Sequence, residues 1–225
     1  MKRFTFLACA GFLAAAMAAP SLAADLPRPA YKAPVYVAPF SWTGFYVGIN
    51  GGYGWGTSDW TFTGTGVSTG NFDIKGGLVG GTLGYNLQTG NWVWGIEGDF
   101  DASWIKGTDT TTCVAPGCET RNRWLATLRG RVGYAFDHWL PYITGGGAFG
   151  DVKMTTPAAT SETDTQAGWT AGAGVEWAFL GNWSAKLEYL YVDLGKANCS
   201  AATCGVSTDV DFKTNVVRAG VNYRF

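Results

Sequence analysis

The C-terminal stretch Arg218-Ala219-Gly220-Val221-Asn222-Tyr223-Arg224-Phe225 alternates strictly between apolar residues and polar or glycine residues. Successive side chains of a β-strand point to opposite faces, so the stretch predicts a strand with one apolar and one cationic face. The chain then stops on Phe225 without a polar tail. An apolar outer face is typical of a membrane barrel, in which lipid lies outside and polar groups fill the lumen. The alternative is the last edge strand of a soluble sandwich.

Seven further segments show the same alternation, so eight strands are predicted. They span Phe45–Trp55, Gly76–Asn86, Trp92–Trp104, Arg123–Phe136, Leu140–Val152, Trp169–Phe179 and Trp183–Tyr191, followed by the terminal stretch. An even number of antiparallel strands returns the chain to its starting rim, as closure requires. The sequence therefore predicts an all-β fold, an eight-stranded antiparallel transmembrane β-barrel.

The third and fourth predicted strands show the two faces most clearly. The apolar face of the third carries Trp92, Trp94, Ile96, Phe100 and Trp104, and its polar face carries Glu97, Asp99, Asp101 and Ser103. The polar face of the fourth carries Arg123, Thr127, Arg129 and Arg131. The fifth strand is rich in glycine, and we place its Ile143 and Phe149 outward.

The polar faces predict a narrow lumen filled by paired charges. Acids and bases occur at matching depth on neighbouring strands, and a charge buried without a partner is costly. The predicted lumen charge network comprises Glu97, Asp99, Asp101, Arg129, Arg131, Glu176, Lys186, Glu188, Arg218 and Arg224. A soluble ligand-binding barrel of the lipocalin type would instead turn its apolar face inward.

The connections between the predicted strands alternate in length. Short turns occur at 87–91, 137–139 and 180–182, and long loops occur at 56–71, 106–119, 153–163 and 195–208. Short turns on the periplasmic side and long loops outside are typical of outer-membrane barrels. Tryptophans lie near both sets of connections, which predicts two interfacial aromatic girdles.

The N-terminus has the pattern of a secretory signal peptide. A basic start at Lys2 and Arg3 precedes an apolar core, and Ser21-Leu22-Ala23 offers a small-residue cleavage site. We therefore divide the chain into a signal peptide at 1–23, a proline-rich periplasmic leader at 24–41 and the barrel at 42–225. The apolar core is too short for the alternative, a membrane anchor. The leader is either a simple spacer or a contact with the cell wall.

The composition excludes several other classes of protein. No run of about 18 apolar residues follows the signal peptide, so no transmembrane helix is predicted. The formal charge of −1 and the lack of a basic patch give no indication of nucleic-acid binding. The 33 glycines show no Gly-X-Y period, which excludes collagen.

Four cysteines follow the signal peptide, in two local pairs with four residues between the members of each pair. Three pairings are possible in principle. Export to an oxidising compartment favours two small-loop disulfides, Cys113–Cys118 and Cys199–Cys204. A zinc site of four thiolates is the alternative, although this spacing lacks the usual C-x2-C element.

The sequence does not predict a catalytic site, a metal or a cofactor. The single histidine, His138, lies in a predicted periplasmic turn, away from the long loops where a surface enzyme would act. The pair Asp99 and Asp101 has the residue types for acid–base chemistry, but we expect both carboxylates to form lumen salt bridges.

Three stretches resemble a known family. They are Ala24-Asp25-Leu26-Pro27, Trp42-Thr43-Gly44-Phe45-Tyr46-Val47-Gly48 and Lys186-Leu187-Glu188-Tyr189-Leu190-Tyr191-Val192-Asp193-Leu194-Gly195. They resemble the alphaproteobacterial porin-like outer-membrane proteins, a group that includes major surface antigens and is similar in fold to the OmpA- and OmpX-type small barrels. The resemblance implies an integral protein of the Gram-negative outer membrane. It also implies that Arg218, Gly220, Tyr223 and Phe225 form an assembly signal read by the outer-membrane assembly machinery.

Three functions fit these features. The first is a structural, surface-exposed barrel that supports the integrity of the cell envelope. The second is a porin-like channel for small hydrophilic solutes, and the third is a surface binder or adhesin that uses the long loops. The expected partners are outer-membrane lipid and lipopolysaccharide and the assembly machinery, with cell-wall or host-surface contact as a further expectation.

Overall fold

The structure, a computed structural model, describes residues 40–63, 66–111, 117–155, 161–201 and 207–225. The predicted signal peptide and most of the predicted leader lie outside these residues. Within them, no helix has both the length and the apolar character that crossing a membrane requires.

Eight long antiparallel strands close into a barrel, as the alternation predicts. The strands are β1 (Gly44–Phe62), β2 (Val67–Ser68), β3 (Phe72–Thr89), β4 (Trp92–Asp109), β5 (Cys118–Tyr134), β6 (Trp139–Thr155), β7 (Ser161–Leu180), β8 (Trp183–Cys199) and β9 (Thr208–Arg224). Neighbours along the chain pair with one another, and β1 pairs with β9 to complete the circle. The two-residue β2 pairs only with the outer end of β1.

The C-terminal stretch is the strand that closes the barrel. Tyr223 pairs with Val47 of β1 on one side and with Trp183 of β8 on the other. A strand with partners on both sides has no free edge. The edge strand of a sandwich, the alternative interpretation of this stretch, is therefore wrong.

Apolar side chains face outward along every long strand. Ile49 is 73% exposed, Ile96 is 65% exposed and Ile143 is 66% exposed. Water would make such a surface unstable, whereas lipid is its natural solvent. The outward placement of Ile143 and Phe149 on the glycine-rich β6 is confirmed.

The inward placement of Arg123 is wrong. The register of β5 shifts between Arg121 and Leu125, so a β-bulge interrupts the alternation there. The bulge turns Arg123 to the outer surface, where its side chain is 54% exposed and its Nε donates to Asp151 at 2.6 Å. A bulge adds one residue to a strand and reverses the faces of the residues beyond it. No particular residue type marks the position, so the alternation of the sequence does not reveal the bulge.

The short turns lie where they were predicted. They occupy 90–91, 135–138 and 181–182, between strands that lie next to each other in the sheet. The glycines at 90 and 181 and Asp137 have positive φ, as tight turns require.

The long loops are shorter than predicted, because the strands continue into them. β1 extends to Phe62 and β4 extends to Asp109. The outward residues of these extensions, such as Thr57, Asp59 and Lys106, are polar. Beyond the membrane those residues face water, so a strand keeps its geometry there while its outer face loses apolar character.

The interior of the barrel has three layers. A small apolar cluster at the periplasmic end contains Trp42, Val93, Ala135, Leu140 and Ala178. Charged side chains fill the middle. The extracellular half holds a larger apolar core whose members include Trp60, Ile105, Leu194 and Phe212, each at most 1% exposed. The prediction of a polar lumen is therefore wrong for the extracellular half, where inward positions pack against one another as in a soluble barrel.

Aromatic rings surround the barrel near both ends of the apolar outer surface. Close to the short turns, Trp139 stacks on Trp177 at 5.6 Å and Trp183 contacts Tyr223 at 5.0 Å between ring centroids. Towards the long loops, Trp169 contacts Tyr191 at 5.3 Å. These outward rings lie where lipid headgroups meet the barrel.

Candidate functional site

The charged layer in the middle of the barrel is the candidate site. We define the charge layer as Glu97, Asp99, Asp101, Arg129, Arg131, Glu176, Lys186, Glu188 and Arg218. They project from β4, β5, β7, β8 and β9, at inward positions separated by two along each strand. Each is at most 5% exposed. Charges buried to this degree must compensate one another, because removing an unpaired charge from water is costly.

Arg129 joins acids from two sides of the barrel. It lies directly opposite Glu97 in the β4–β5 register, and its Nη2 donates to Glu97 and, at 2.6 Å, to Asp99. Its Nη1 donates across the interior to Glu188 of β8 at 3.0 Å. The planar guanidinium thus serves three carboxylates, which suits its forked donor geometry.

Arg218 makes the second set of bridges across the lumen. Its Nη1 lies 3.0 Å from Asp101, and its Nη2 lies 2.9 Å from Asp99. Its Nε donates to Glu188, the cross-strand partner of Arg218, at 2.8 Å. Because β1 and β3 separate β9 from β4 around the barrel, the contacts of Arg218 with Asp101 and Asp99 tie two strands that share no ladder.

Two further cations complete the charge layer. Arg131 donates to Glu176 at 2.7 Å and to Glu97 at 3.3 Å. The Nζ of Lys186 lies 3.0 Å from Glu97. Glu97 therefore receives bonds from Arg129, Arg131 and Lys186, which makes it the most heavily shared acid of the layer.

Two tyrosines belong to this network and were not predicted. The hydroxyl of Tyr46 donates to Glu97 at 2.8 Å and accepts from Arg131 at 3.0 Å. The hydroxyl of Tyr142 donates to Glu188 at 2.9 Å. Tyr46 shares the inward face of its strand with several glycines. A single large polar side chain among glycines is the sequence signal that could have indicated a role inside the lumen.

Glycine makes room for both tyrosine rings. Gly84 is the cross-strand partner of Tyr46, and any Cβ there would overlap the Tyr46 phenol ring. Gly174 is the partner of Tyr142, and a Cβ there would lie 2.7 Å from the ring carbon that bears the hydroxyl. Each ring therefore lies flat over a neighbouring glycine, which lets its hydroxyl reach the middle of the lumen.

Short polar side chains add further hydrogen bonds to two of the carboxylates. Thr82 donates to Asp99 Oδ1 at 2.7 Å, and Thr127 donates to Asp99 Oδ2 at 2.9 Å. Ser184 and Asn222 both donate to Glu176 Oε1, at 2.6 and 2.8 Å. The layer is thus a cross-linked network of hydrogen bonds rather than a set of separate ion pairs.

Arg224 lies outside the charge layer. Its guanidinium carbon is 4.5 Å from the centre of the Phe40 ring and 5.7 Å from that of Trp42, at the periplasmic rim. This correction to the predicted network has a geometric cause. Arg224 is the last residue of β9, six residues beyond Arg218, so it cannot reach the layer.

Phe40 and Trp42 cover the periplasmic mouth of the barrel. Trp42 is 1% exposed, and its indole Nε1 donates to the carbonyl of Asp137 at 3.1 Å. Phe40 packs edge-on against Trp42 and stacks on His138, with ring centroids 4.7 Å apart. Phe40, in the predicted leader, and Trp42, the first residue of the predicted barrel, therefore pack against a turn of the barrel.

His138 lies at the surface of that turn. Its Nδ1 is 2.6 Å from a carboxylate oxygen of its neighbour Asp137, and both side chains are exposed. The described residues contain no group of three or more His, Cys, Asp or Glu side chains arranged to hold a metal ion.

The residues of the predicted assembly signal occupy the closing strand. Gly220 packs closely against β1, since a Cβ there would lie 2.7 Å from the carbonyl oxygen of Ile49. Tyr223 contacts the ring of Phe225 at 5.2 Å, and Phe225 is 72% exposed at the periplasmic rim. Recognition of these residues by assembly machinery stays a prediction.

The cysteines lie at the extracellular end of the barrel. Cys118 and Cys199 are buried at strand ends. Cys113 and Cys204 lie outside the described residues, so the pairing within each local pair stays a prediction.

Comparisons with known proteins agree with this architecture. The model of the outer membrane protein beta-barrel domain matches residues 5–225. A 31 kDa outer-membrane immunogenic protein of Brucella melitensis is 38% identical over 234 residues, which cover 95% of this chain and 97% of that protein. A 22 kDa outer membrane protein of Rhizobium leguminosarum is 36% identical over 196 residues, which cover 87% of this chain and 83% of that protein.

A solved structure shares the fold. The outer membrane protein OprG from Pseudomonas aeruginosa superposes with a TM-score of 0.50 at 16% identity, over 81% of this chain and 96% of that chain. At this identity the likeness concerns the fold alone.

Proposed function

This chain belongs to the outer membrane protein β-barrel domain family, and we propose that it is a structural, surface-exposed barrel that supports the integrity of the outer membrane. The observation that carries the proposal is the closed interior. The nine residues of the charge layer cross-link five strands at mid-barrel and are at most 5% exposed. An interior of this kind holds the barrel rigid and leaves its outer surface to interact with the membrane.

Each layer of the interior supports the proposal in a different way. The apolar core of the extracellular half packs like a soluble protein interior, and water does not enter such cores readily. Trp42 and Phe40 cover the opposite mouth. A solute would therefore have to displace three separate sets of contacts, which argues against the alternative of a porin-like channel.

A surface binder is the second candidate function, and the length of the strands favours it. Outside Trp169, β7 continues for eight residues to Ser161, and β1 continues from Trp55 to Phe62. The barrel thus extends past its outer aromatic residues and presents the connecting loops away from the lipid. The B. melitensis relative is named for its immunogenicity, which fits exposure of this end.

Deleting the gene and measuring two properties of the envelope tests the proposal. Cells without the protein should become more sensitive to bile salts and to large apolar antibiotics, while uptake of small hydrophilic solutes should not change. Slower solute uptake with unchanged sensitivity would favour the channel and contradict the structural role. Unchanged values of both, with loss of attachment to a surface, would favour the binder.

Complementation separates the barrel from its loops. A variant with residues 112–116 and 202–206 replaced by short Gly-Ser turns keeps every long strand. If the barrel itself supports the envelope, this variant should restore resistance as fully as the wild type. Failure to restore resistance, with normal folding, would assign the role to the loops.

A further inference from the structure

Four cations lie side by side around the outside of the barrel. Lys75 of β3 pairs with Lys106 of β4, Lys106 pairs with Arg121 of β5, and Arg121 pairs with Lys153 of β6. We call these four residues the basic row. Each is a direct cross-strand neighbour of the next, so the row crosses four adjacent strands along the hydrogen-bonding direction of the sheet.

The basic row points outward. On β4, Ile105 is fully buried inside the barrel, so its neighbour Lys106 faces the outer surface. On β6, Val152 and Met154 are fully buried, so Lys153 between them also faces outward. Lys75 and Lys106 are exposed, and Arg121 and Lys153 are half-buried.

The basic row lies beside and just outside the outer aromatic residues. Trp55 is the cross-strand partner of Lys75. On β4, Trp104 is the outward residue that comes just before Lys106. Tryptophan on a membrane barrel marks the level of the headgroups. The four cations therefore meet the membrane where the outer leaflet carries its polar groups.

The charges of the basic row have no ion-pair partner among the residues that the structure describes. Among the described residues, none of the four cations takes part in an ion pair. The Nε of Arg121 is buried and has no hydrogen-bond acceptor. Like charges placed directly opposite each other destabilise a sheet, so the row is unfavourable unless an anion joins it.

Elsewhere on the outer surface, cations have acidic neighbours. Lys213 of β9 has Asp193 of β8 as its cross-strand partner, and Arg123 is bonded to Asp151. Asp151 lies two residues from Lys153 on the membrane side, where it is bonded to Arg123. Asp73 and Glu119 lie two residues beyond Lys75 and Arg121, on the side away from Trp104. A ligand that approaches from the membrane therefore meets the cations before it meets these carboxylates.

We propose that the basic row binds the phosphate groups of lipids in the outer leaflet. Lysine and arginine form strong charge-assisted hydrogen bonds to phosphate, and each cation near a membrane surface adds about 1 kcal/mol of attraction to anionic lipid. The acyl chains of the same lipid would lie along the apolar surface below the row. The site goes beyond the proposed function, because it assigns a ligand to one side of the outer surface.

Binding of defined lipids to the purified barrel tests this site. The full barrel, folded in a neutral detergent, is titrated with a bisphosphorylated lipid A and with the same lipid after removal of its phosphates. Native mass spectrometry counts the lipids that stay bound. The wild type should retain the bisphosphorylated lipid at least about tenfold more strongly, and added salt should weaken this binding.

Three variants locate the site. K75Q/R121Q should weaken binding of the bisphosphorylated lipid roughly thirty-fold, and K106Q alone should weaken it about fivefold. The matched control K213Q, on the opposite side of the barrel, should change binding less than about threefold, because Lys213 already faces an acid. Loss of heat-modifiable mobility on gels identifies any variant that fails to fold, and K106Q then carries the test.

Two results would overturn the assignment. One is equal binding of the bisphosphorylated lipid by K75Q/R121Q and wild type, and the other is equal binding of the two lipids by the wild type. Inorganic phosphate at the same concentration should not displace the lipid, and displacement would assign the row to free phosphate instead. None of these results concerns the closed interior, so they do not test the proposed structural role.

Discussion

The charge layer inside the barrel and the basic row outside it use the same residue types in opposite ways. Inside, four cations are bonded to five carboxylates, and every member is at most 5% exposed. Outside, four cations neighbour only one another along the row. Both sets contain direct cross-strand pairs, Glu97 with Arg129 inside and Lys106 with Arg121 outside. The difference shows that a buried charge needs an opposite charge from the same chain. A charge on the outer surface can instead be neutralised by the membrane or the solvent.

Two arginines of β5 give the strongest contrast, because Arg129 belongs to the charge layer and Arg121 to the basic row. Replacing Arg129 with methionine leaves Glu97, Asp99 and Glu188 short of a partner, which should lower the free energy of unfolding by about 3–5 kcal/mol. Urea unfolding of the barrel in a neutral detergent measures the change.

The matched control is R121M. It removes an outward cation with like-charged neighbours, so it should change the free energy of unfolding by less than about 0.5 kcal/mol. Equal losses for the two variants would show that the charge layer has no special role in stability.

The apolar core lies directly behind the basic row, at Ile105. Ile105→Ala should destabilise the barrel by about 2–5 kcal/mol, because the packed interior cannot collapse fully around the missing methyl groups. The same urea titration detects the change. The exposed Thr163→Ala, beyond the membrane on β7, should stay within about 0.5 kcal/mol of wild type. A small loss at Ile105 would mean that the extracellular half is loosely packed.

Tyr46 tests whether the neutral members of the charge layer matter. Tyr46→Phe keeps the ring over Gly84 but removes the hydroxyl that donates to Glu97, so it should cost about 1.5–3 kcal/mol. Tyr53→Phe, on the outer face of the same strand, should be nearly neutral. Unfolding curves that coincide for both variants would exclude Tyr46 from the network.

Phe40 gives the smallest expected effect. Its ring lies between the guanidinium of Arg224 and the imidazole of His138 at the periplasmic rim. Phe40→Ala removes the ring-stacking and cation–π contacts, which together should contribute about 1 kcal/mol. A loss comparable to that of Arg129→Met would mean that the periplasmic cover, rather than the charge layer, dominates stability.

The sequence predicted the barrel because its alternating residues place an apolar face on the outside, where lipid would contact it. Outward residues such as Trp94 and Ile96 need an apolar solvent, and no soluble fold provides one on the outside of eight strands. The outer-membrane location and the resemblance to alphaproteobacterial surface antigens are confirmed by the family match and by relatives in Brucella and Rhizobium. The signal peptide and leader stay predictions.

The sequence predicted strand ends less well where the outer face of a strand passes from lipid into water. The sequence predicts loops at the outer parts of β1 and β4, because the polar residues of a water-facing strand resemble those of a loop. The same change hid the apolar core, since Ile105 and Leu194 lie beyond the ends of the predicted strands, at Trp104 and Tyr191. Tyr46 and Tyr142 were missed because their role depends on glycines of neighbouring strands, which only the register reveals.

Single-channel recording tests the closed interior most directly. The purified barrel is inserted into planar bilayers, alone and as the variant E97Q/D99N, which removes two charges without changing side-chain size. The wild type should show no stable openings, and the variant should also stay closed because the apolar core remains. Stable, large openings of the wild-type barrel would contradict the account.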